Sequence, residues 1–145
     1  TGYLNNPDAT AETVVDGWLH TGDIGYLDQE GFLYVVDRKK DMINRGGENI
    51  YPREVEIAIE SHPQVNSVAV IGIPDDALGE RVKAVIEPVT PDSLTPEMIK
   101  AHLQDRLAQY KIPETIDIVD ALPRNPTGKV LKYQLRASEK TITRP

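Results

Sequence analysis

Residues 65-VNSVAVIGI-73 form a largely apolar run that is rich in β-branched side chains. Such a run is typical of a strand. In the segment 81-RVKAVIE-87, apolar Val82, Ala84 and Ile86 alternate with charged residues, which is the period of a half-buried strand. The two segments therefore predict two strands, and the rest of this half of the chain is interpreted around them.

Helices are predicted on either side of these strands. Pro52 can open the first helix and Pro63 can stop it, since proline is tolerated only in the first turn. The core face of this helix would carry Val55, Ala58, Ile59 and His62. The run Thr95-Pro96-Glu97 supplies a capping side chain, a fixed φ and an acidic group near the helix dipole, so it predicts the start of a second helix. The apolar stripe of that helix would be Ile99, Leu103, Leu107 and Tyr110.

Two further elements complete a small layered domain. Ile116 and Ile118 alternate with polar neighbours and predict a short strand. After a loop rich in Pro, Asn and Gly, the segment from Val130 to Ala137 predicts a final short helix. The order from Pro52 onward is helix, strand, strand, helix, strand, helix. This order predicts an α+β fold in which helices pack on a small three-stranded sheet.

The region before this domain is expected to contain a helix and a hairpin. Asn6 is suited to cap a helix and Pro7 to be its first residue, so a short helix is predicted from Pro7 to about Thr13. Two apolar segments, 24-IGYL-27 and 32-FLYVV-36, flank 28-DQEG-31, whose Asp and Gly have the positions of a type I turn. A β-hairpin is therefore predicted.

The charged run 37-DRKKD-41 is typical of a solvated connector between structural units. It predicts a division into residues 1–37, a joint at 38–41 and a domain at 42–145. The chain starts at Thr1 without an initiator methionine, and we expect it to be a piece cut from something longer.

Composition narrows the possible classes of function. The 145 residues include 16 basic and 23 acidic side chains, and the net charge of −7 disfavours nucleic-acid binding. There is no cysteine, which excludes disulfides, zinc-thiolate sites and thiol nucleophiles and is compatible with the cytoplasm. No apolar run approaches the ~20 residues of a membrane span. We expect a soluble cytoplasmic protein with no transmembrane segment.

The loop 122-LPRNPTGK-129 is the first candidate for chemistry. Its two prolines stiffen it, and Gly128 can adopt a conformation that other residues avoid, so the loop can present Lys129 at a fixed angle. It is not a phosphate-binding P-loop, because Pro123 and Val130 stand where that motif needs a glycine and a hydroxyl. Taken alone, a lysine after such a turn is more often a solvated surface charge.

Three shorter features are weaker candidates. Asp23 in the turn Thr21-Gly22-Asp23 offers two acceptor oxygens to a diol such as a ribose, although an Asx-type turn is the better explanation from the local sequence alone. The pair Gly46-Gly47 would let a thin ligand approach the backbone, or would simply make a tight turn. Arg38 could hold a hydroxyl or phosphate with its planar guanidinium.

Two common site classes find no support in the sequence. His20, His62 and His102 lack the spacing of metal ligands, and no serine lies in a nucleophile elbow. His62 and His102 are interpreted as packing or surface residues of amphipathic helices. Metal hydrolysis and triad chemistry are therefore not predicted.

Four blocks in order resemble the superfamily of acyl-CoA synthetases, peptide-synthetase adenylation domains and luciferases. The blocks are 17-GWLHTGD-23, 37-DRKKDMI-43, 46-GGENIYP-52 and 123-PRNPTGK-129. The block 46-GGENIYP-52 is more similar to acyl-CoA ligases than to peptide-synthetase domains, which usually carry a Gly-x-Arg-Ile-Glu pattern there. The resemblance covers nearly the whole chain and identifies it as the C-terminal part of an AMP-forming acid:CoA ligase.

The resemblance implies a reaction in two steps. A carboxylate attacks the α-phosphate of ATP and releases pyrophosphate, and the acyl adenylate is then captured by the thiol of CoA. ATP with Mg and CoA are the implied cofactors. The phosphate loop, the metal ligands and the acid pocket would lie in a large N-terminal domain upstream of Thr1, so the chain alone is expected to be inactive.

The same resemblance implies roles for individual residues. Asp23 would hold the ribose hydroxyls, Arg38 would assist it, and Lys40 would be the hinge about which the small domain swings between the two steps. Lys129 would be the catalytic residue of the first step. Lys40 stands where many CoA ligases have aspartate, and Asp37 stands where many have glycine, which leaves the subfamily open.

Three residues would belong to the CoA side of the reaction. Gly46 and Gly47 would line the path of the pantetheine, and Tyr110 would pack on the adenine of CoA or serve only in the helix stripe. Two alternatives stay open: loading of a carrier protein instead of CoA, and a binding module of the same fold without catalysis. Fatty and aryl acids remain open as substrates.

Overall fold

The computed structural model describes residues 2–142, and Thr1 and residues 143–145, at the outer ends of the predicted domains, lie outside the described residues. The chain divides into two compact units, Thr1–Lys40 and Asp41–Pro145. The break falls inside the charged run 37–41. Which residue of that run acts as the joint stays a prediction.

The first unit begins with a short helix and a small ribbon. Helix α1 spans Pro7–Thr13, and Asn6 caps it, since its Oδ1 accepts a hydrogen bond from the N–H of Ala9 at 3.1 Å. The helix predicted there is confirmed. Strands β1 (Val14–Val15) and β2 (Trp18–Leu19) follow and pair antiparallel.

The predicted hairpin is confirmed as strands β3 (Asp23–Leu27) and β4 (Leu33–Arg38). Asp28 organises its turn, because its Oδ1 accepts hydrogen bonds from the N–H groups of Glu30 and Phe32, both at 2.9 Å. None of the described residues of this unit is buried. The unit thus holds its local shape through turns and strand pairing, with no core of its own.

The second unit is built on one sheet of five strands. These are β5 (Ile43–Arg45), β6 (Glu48–Ile50), β7 (Val65–Asp75), β8 (Gly79–Pro88) and β9 (Thr115–Ile118). The order is β6-β5-β8-β7 with antiparallel neighbours, and β9 runs parallel to β8. The α+β class and the three predicted strands, β7, β8 and β9, are confirmed. Strands β5 and β6 are additional to the prediction.

Gly46 and Gly47 explain the two additional strands. Arg45 faces Glu48 in register, so the glycines form the two-residue loop of a hairpin. Their φ angles are +60° and +92°, and a type I′ turn requires positive φ at both positions. The N–H of Gly46 also donates to the carbonyl of Leu78 at 2.7 Å, which ties the turn to the segment before β8.

Helices cover both faces of the sheet. Helices α2 (Pro52–Glu60) and α3 (Pro96–Leu103) pack over one face, and α4 (Lys132–Ile142) packs over the other. The larger core, under α2 and α3, includes the fully buried Val55, Ile59, Val70, Val82, Ile86, Ile99 and Leu103. The smaller core, under α4, contains Ala69, Val85 and Leu122 with Leu135 against them. Alternation along β7 and β8 sends successive side chains to the two cores.

Two helix ends differ from the predictions. Helix α2 ends at Glu60, so His62 lies in the turn beyond it, because Pro63 disfavours a helical conformation for the residue directly before it. Helix α4 begins at Lys132 instead of Val130 and extends beyond Ala137. Val130 cannot open the helix because it pairs with Arg124 in a β-bridge.

The predicted stripe of α3 is also shorter than expected. The carbonyl of Leu103 accepts hydrogen bonds from the N–H groups of both Arg106 and Leu107 at 3.0 Å, and such sharing tightens the chain into turns. Leu107 and Tyr110 therefore pack against the core from the segment after the helix, where Gln109–Lys111 is a 3₁₀ turn. Their contribution to packing was predicted correctly, and their place on the helix was wrong.

A buried lysine joins three elements on the α4 side of the sheet. Lys83 of β8 has a side chain that is 6% exposed, and its Nζ lies 2.6 Å from both Asp117 of β9 and Glu139 of α4. Burial alone would lower the pKa of Lys83, but the hydrogen bonds to the two carboxylates outweigh it and raise the pKa. The charged group therefore stays paired and holds α4 to the sheet.

We predict that Lys83→Met lowers the free energy of unfolding of the second unit by about 2 kcal/mol, because the partly buried Glu139 and the more exposed Asp117 lose their shared cation. Urea titration followed by far-ultraviolet circular dichroism measures this, since the single tryptophan, Trp18, lies in the first unit. The matched control Lys129→Met alters an exposed lysine and should cost less than about 0.5 kcal/mol. Equal effects of the two substitutions would contradict a supporting role for Lys83.

Candidate active-site segment

Lys129 lies on a small hairpin whose shape is set by the side chain of Asn125. The Oδ1 of Asn125 accepts hydrogen bonds from the N–H of Thr127 at 3.1 Å, its hydroxyl at 2.8 Å and the N–H of Lys129 at 2.8 Å. The backbone N–H of Asn125 also donates to the carbonyl of Lys129 at 2.9 Å. The lysine itself is exposed. The side chain of Asn125 thus fixes the backbone of the loop, while the side chain of Lys129 stays exposed.

Gly128 closes the turn before Lys129. Its φ is +86°, as the sequence predicted for a conformation that other residues avoid, and its N–H donates to the carbonyl of Asn125 at 2.9 Å. No heavy atom lies within 4 Å of the position that a Cβ would take. The glycine is therefore required by its backbone conformation and not by lack of space. The role of Asn125 was missed, although an Asn-Pro pair is a known signal for a side-chain-capped turn.

Glu87, near the end of β8, supports the base of this hairpin. Its Oε2 accepts a hydrogen bond from the N–H of Leu122 at 3.0 Å and lies 3.5 Å from the guanidinium of Arg124. Its Oε1 accepts from the amide of Asn66 at 2.5 Å. The backbone hydrogen bond from Leu122, followed by the bond from Asn66 and the charge of Arg124, outweighs burial and lowers the pKa of Glu87. The carboxylate is thus held ionised where the loop leaves the sheet.

Asp23 and Arg38 are brought together in the first unit. They are cross-strand partners at the open end of the β3–β4 hairpin, and Arg38 Nε lies 2.8 Å from Asp23 Oδ1. Thr21 makes the turn before them, because its hydroxyl accepts from the N–H of Asp23 at 3.2 Å. The turn is thus capped by Thr21, and the Asp23 carboxylate faces Arg38 instead of capping its own backbone.

Lys40 lies at the end of the first unit, within the 3₁₀ turn Lys39–Asp41. Its side chain is exposed. The next residue, Asp41, opens the second unit and is anchored there, since its Oδ1 accepts from Arg136 of α4 at 2.9 Å. A pivot at Lys40 would therefore lie one residue before the chain is fixed to the second unit.

Tyr110 lines a groove of the second unit together with several charged side chains. The groove has a volume of about 600 Å³, and its walls include Arg45, Arg81, Lys100, Tyr110, Ile112 and Glu114. Glu114 binds both arginines, at 2.7 Å from Arg45 and 2.8 Å from Arg81. Three cations therefore share this groove with one glutamate, and one of them, Arg45, directly precedes Gly46 in the sequence.

The two predicted glycines differ in the space around them. A Cβ at Gly46 would lie 3.3 Å from the side chain of Leu78, whereas no heavy atom lies within 4 Å of the corresponding position at Gly47. Gly47 also keeps its N–H bonded to the Oδ1 of Asn44 at 3.0 Å. The turn explains both residues, and it leaves the Cα of Gly47 open to an approaching molecule.

The histidines form no metal site in the part of the chain that is described. His62 and His102 meet edge to face with ring centroids 5.0 Å apart, and the hydroxyl of Ser61 lies 2.8 Å from His102 Nε2. Burial, followed by the charge of Arg106, lowers the pKa of His102. Within residues 2–142, no group of three His, Asp or Glu side chains could hold a metal ion.

Helix length and polarity leave no candidate for a membrane span. Of the helices within residues 2–142, none is both long and apolar enough to cross a bilayer.

Comparison with known proteins assigns a family to this arrangement. Residues 54–129 match the family described as the AMP-binding enzyme C-terminal domain. A 2-succinylbenzoate–CoA ligase of Geobacillus is 48% identical over 135 residues, covering 93% of this chain and 27% of the relative. A fatty acid–[acyl-carrier-protein] ligase of Streptomyces coeruleorubidus is 44% identical and is matched over 92% of this chain and 26% of its own length.

A solved structure of a CoA synthetase is similar to the same part of the chain. The o-succinylbenzoate CoA synthetase of Bacillus subtilis, in complex with its acyl-adenylate intermediate, superimposes with a TM-score of 0.85 at 44% identity, over 93% of this chain and 28% of that one. The chain thus spans little more than a quarter of the length of the relatives that it matches. Since the family match extends from α2 through the loop that presents Lys129, the chain belongs to the AMP-binding enzyme C-terminal domain family.

Proposed function

We propose that the chain is the C-terminal part of an AMP-forming acid:CoA ligase, and that Lys129 acts in its adenylation step. The observation that carries this proposal is the hairpin capped by Asn125, which holds the backbone of Lys129 by several hydrogen bonds and leaves its ammonium exposed. A lysine on an ordinary surface loop needs no such support. This degree of order is what a group that must meet a reacting phosphate requires.

The proposed partner is a large N-terminal domain of the same polypeptide. Large apolar side chains of the first unit are exposed, among them Trp18 at 77%, Phe32 at 62% and Leu33 at 66%. Exposed apolar groups on this scale favour a covering protein surface. That domain would also supply the phosphate loop, the acid pocket and the Mg ligands, so the chain alone would be inactive.

Asp23 and Arg38 are suited to the ribose of ATP. A carboxylate can accept hydrogen bonds from both hydroxyls of a cis-diol, and the contact with Arg38 Nε fixes the orientation of the Asp23 carboxylate. Both side chains are partly exposed and therefore accessible. ATP would supply the electrophilic α-phosphorus, and these two residues would orient the nucleoside.

Lys129 would stabilise the charge that develops during attack. Negative charge builds up on the oxygens of the α-phosphate as the carboxylate approaches, and an ammonium in a water-poor cleft stabilises such charge more strongly than solvent does. The cleft would form only when the second unit closes on the N-terminal domain. We propose Lys40 as the pivot for that closure, because the chain becomes fixed to the second unit at Asp41.

The second step would use another surface of the same unit. The open Cα of Gly47 would let the pantetheine pass close to the backbone, and the adjacent groove would receive the nucleotide end of CoA. Tyr110 could stack on the adenine, and Lys100, which is exposed, could bind a phosphate. A role for these residues in CoA binding is compatible with the groove that they share with Arg45, the residue before the β5–β6 turn.

The acceptor thiol is proposed to be that of CoA, with a carrier-protein pantetheine as the alternative. One relative is a CoA ligase and another is an acyl-carrier-protein ligase at similar identity, so identity alone does not separate them. The cationic groove favours CoA, since its nucleotide carries phosphates that a carrier-bound pantetheine lacks. With no cysteine in the sequence, the cytoplasm remains the proposed compartment.

We predict that Lys129→Ala in the full-length enzyme lowers the rate of pyrophosphate exchange by about 10²–10³-fold, since one positioned cation is lost from the transition state. Thioester formation from supplied acyl adenylate should stay largely intact. Lys129→Arg keeps a cation on the same backbone and is the control that separates the loss of the positive charge from the other effects of substitution. Equal loss of both half-reactions in Lys129→Ala would refute the assignment.

We also predict that Lys100→Ala raises the KM for CoA about 10-fold and leaves pyrophosphate exchange unchanged, because one charge-assisted hydrogen bond is lost. Steady-state kinetics with CoA and with pantetheine, which has no nucleotide, distinguishes the loss of a contact to the nucleotide from an effect elsewhere in the site. With pantetheine, the variant and the parent enzyme should have the same KM. A rise in KM with both acceptors would place Lys100 outside the nucleotide site.

A further inference from the structure

Both polar groups of one peptide bond, the bond that joins Gly128 to Lys129, are held by side chains. The N–H of Lys129 donates to Asn125 Oδ1 at 2.8 Å. The carbonyl of Gly128 accepts from Arg124 Nη1 at 3.1 Å. Because the peptide bond is planar, these two contacts on opposite edges fix the orientation of the whole plane. They therefore set the direction in which Lys129 leaves the backbone.

Arg124 is itself held in place by Glu87. Its Nη2 lies 3.5 Å from Glu87 Oε2, while its Nη1 reaches the Gly128 carbonyl, so one planar guanidinium spans the sheet and the loop. Glu87 is 16% exposed and accepts hydrogen bonds from Leu122 and Asn66. The contacts thus run without a gap from strand β7, through Glu87 and Arg124, to the peptide plane of Lys129.

The contribution of this chain of contacts to folding should be small. Arg124 is 37% exposed, and ion pairs at such exposure contribute little to stability. The hairpin also keeps its own backbone hydrogen bonds, from Asn125 to Lys129 and from Leu131 to Pro123. Precise orientation of a reacting group, in contrast, has a large effect on rate, because a displacement of about 1 Å can cost 10²-fold.

We propose that Arg124 and Glu87 are positioning residues that act on adenylation through Lys129. This inference rests on the proposed function. Neither residue needs to touch the substrate, since both act on the backbone that carries Lys129. Their effect should appear in the turnover number of the first half-reaction and should be absent from the second.

The test uses Arg124→Met, Arg124→Lys and Glu87→Gln in the full-length enzyme. Arg124→Met should lower the kcat of pyrophosphate exchange about 10- to 100-fold, with the KM for ATP unchanged. Arg124→Lys keeps the charge but cannot span both partners, so its rate should fall between those of the parent and Arg124→Met. Glu87→Gln should act in the same direction and should add little to Arg124→Met, because both changes break one chain of contacts.

Two controls separate positioning from general damage. Arg53 of α2 is 48% exposed and pairs with Glu60 at 3.1 Å and with Glu56 at 3.8 Å, and Arg53→Met should leave both half-reactions unchanged. In the Lys129→Ala background, Arg124→Met should cause no further loss, since nothing is left to position. Thioester formation from supplied acyl adenylate should stay within about two-fold of the parent in every variant.

The inference would be overturned if Arg124→Met slowed both half-reactions equally, or if it slowed the Lys129→Ala enzyme further. It would also be overturned if Arg124→Met behaved like Arg53→Met while Lys129→Ala lost adenylation, and the proposed function would then stand. If Lys129→Ala itself retained full adenylation, the proposed function would be refuted, and the inference that rests on it would be refuted as well.

Discussion

The pairing of β7 with β8 is the interaction on which the second unit depends. Their long antiparallel register, from Val65 opposite Pro88 to Asp75 opposite Gly79, supplies one face to the core under α2 and α3 and the other to α4. The same pair brings Asn66 beside Glu87. A slip of one residue would exchange the two faces and would also remove the support under the Lys129 hairpin.

Charged groups are used differently in the two halves of the chain. In the second unit they join elements that the apolar cores have already brought together, as Lys83 joins β8, β9 and α4 and Arg136 joins α4 to Asp41. In the first unit, Asp23 and Arg38 pair at a partly exposed hairpin end without any core beside them. The first pattern is structural, whereas the second leaves polar groups accessible to a ligand.

Periodicity and turn residues predicted most of the fold. The strands β7, β8 and β9 and the helix starts at Pro7, Pro52 and Pro96 follow from local patterns that tertiary contacts did not override. Strands β5 and β6 could not be recognised by alternation, because each has only three residues, although the Gly46-Gly47 pair between them is a hairpin signal. The end of α3 depends on the shared carbonyl of Leu103, which no sequence pattern shows.

The sequence could point to the candidate residues of the site, but it could not show the contacts that hold the Lys129 loop in place. The resemblance predicts roles for Lys129, Asp23 and Arg38 that stay predictions, and the structure pairs the last two directly. The contacts of Glu87 and Arg124 with the loop join residues far apart in sequence, so they become visible only when β8 and the hairpin lie together. The rate of acyl-adenylate formation in a single turnover of the full-length Lys129→Cys enzyme, before and after aminoethylation of the introduced thiol, tests the central claim most directly. The account predicts a slow rate that is largely restored when an ammonium is returned to this position. A fast rate before aminoethylation, or a slow rate after complete aminoethylation, would contradict it.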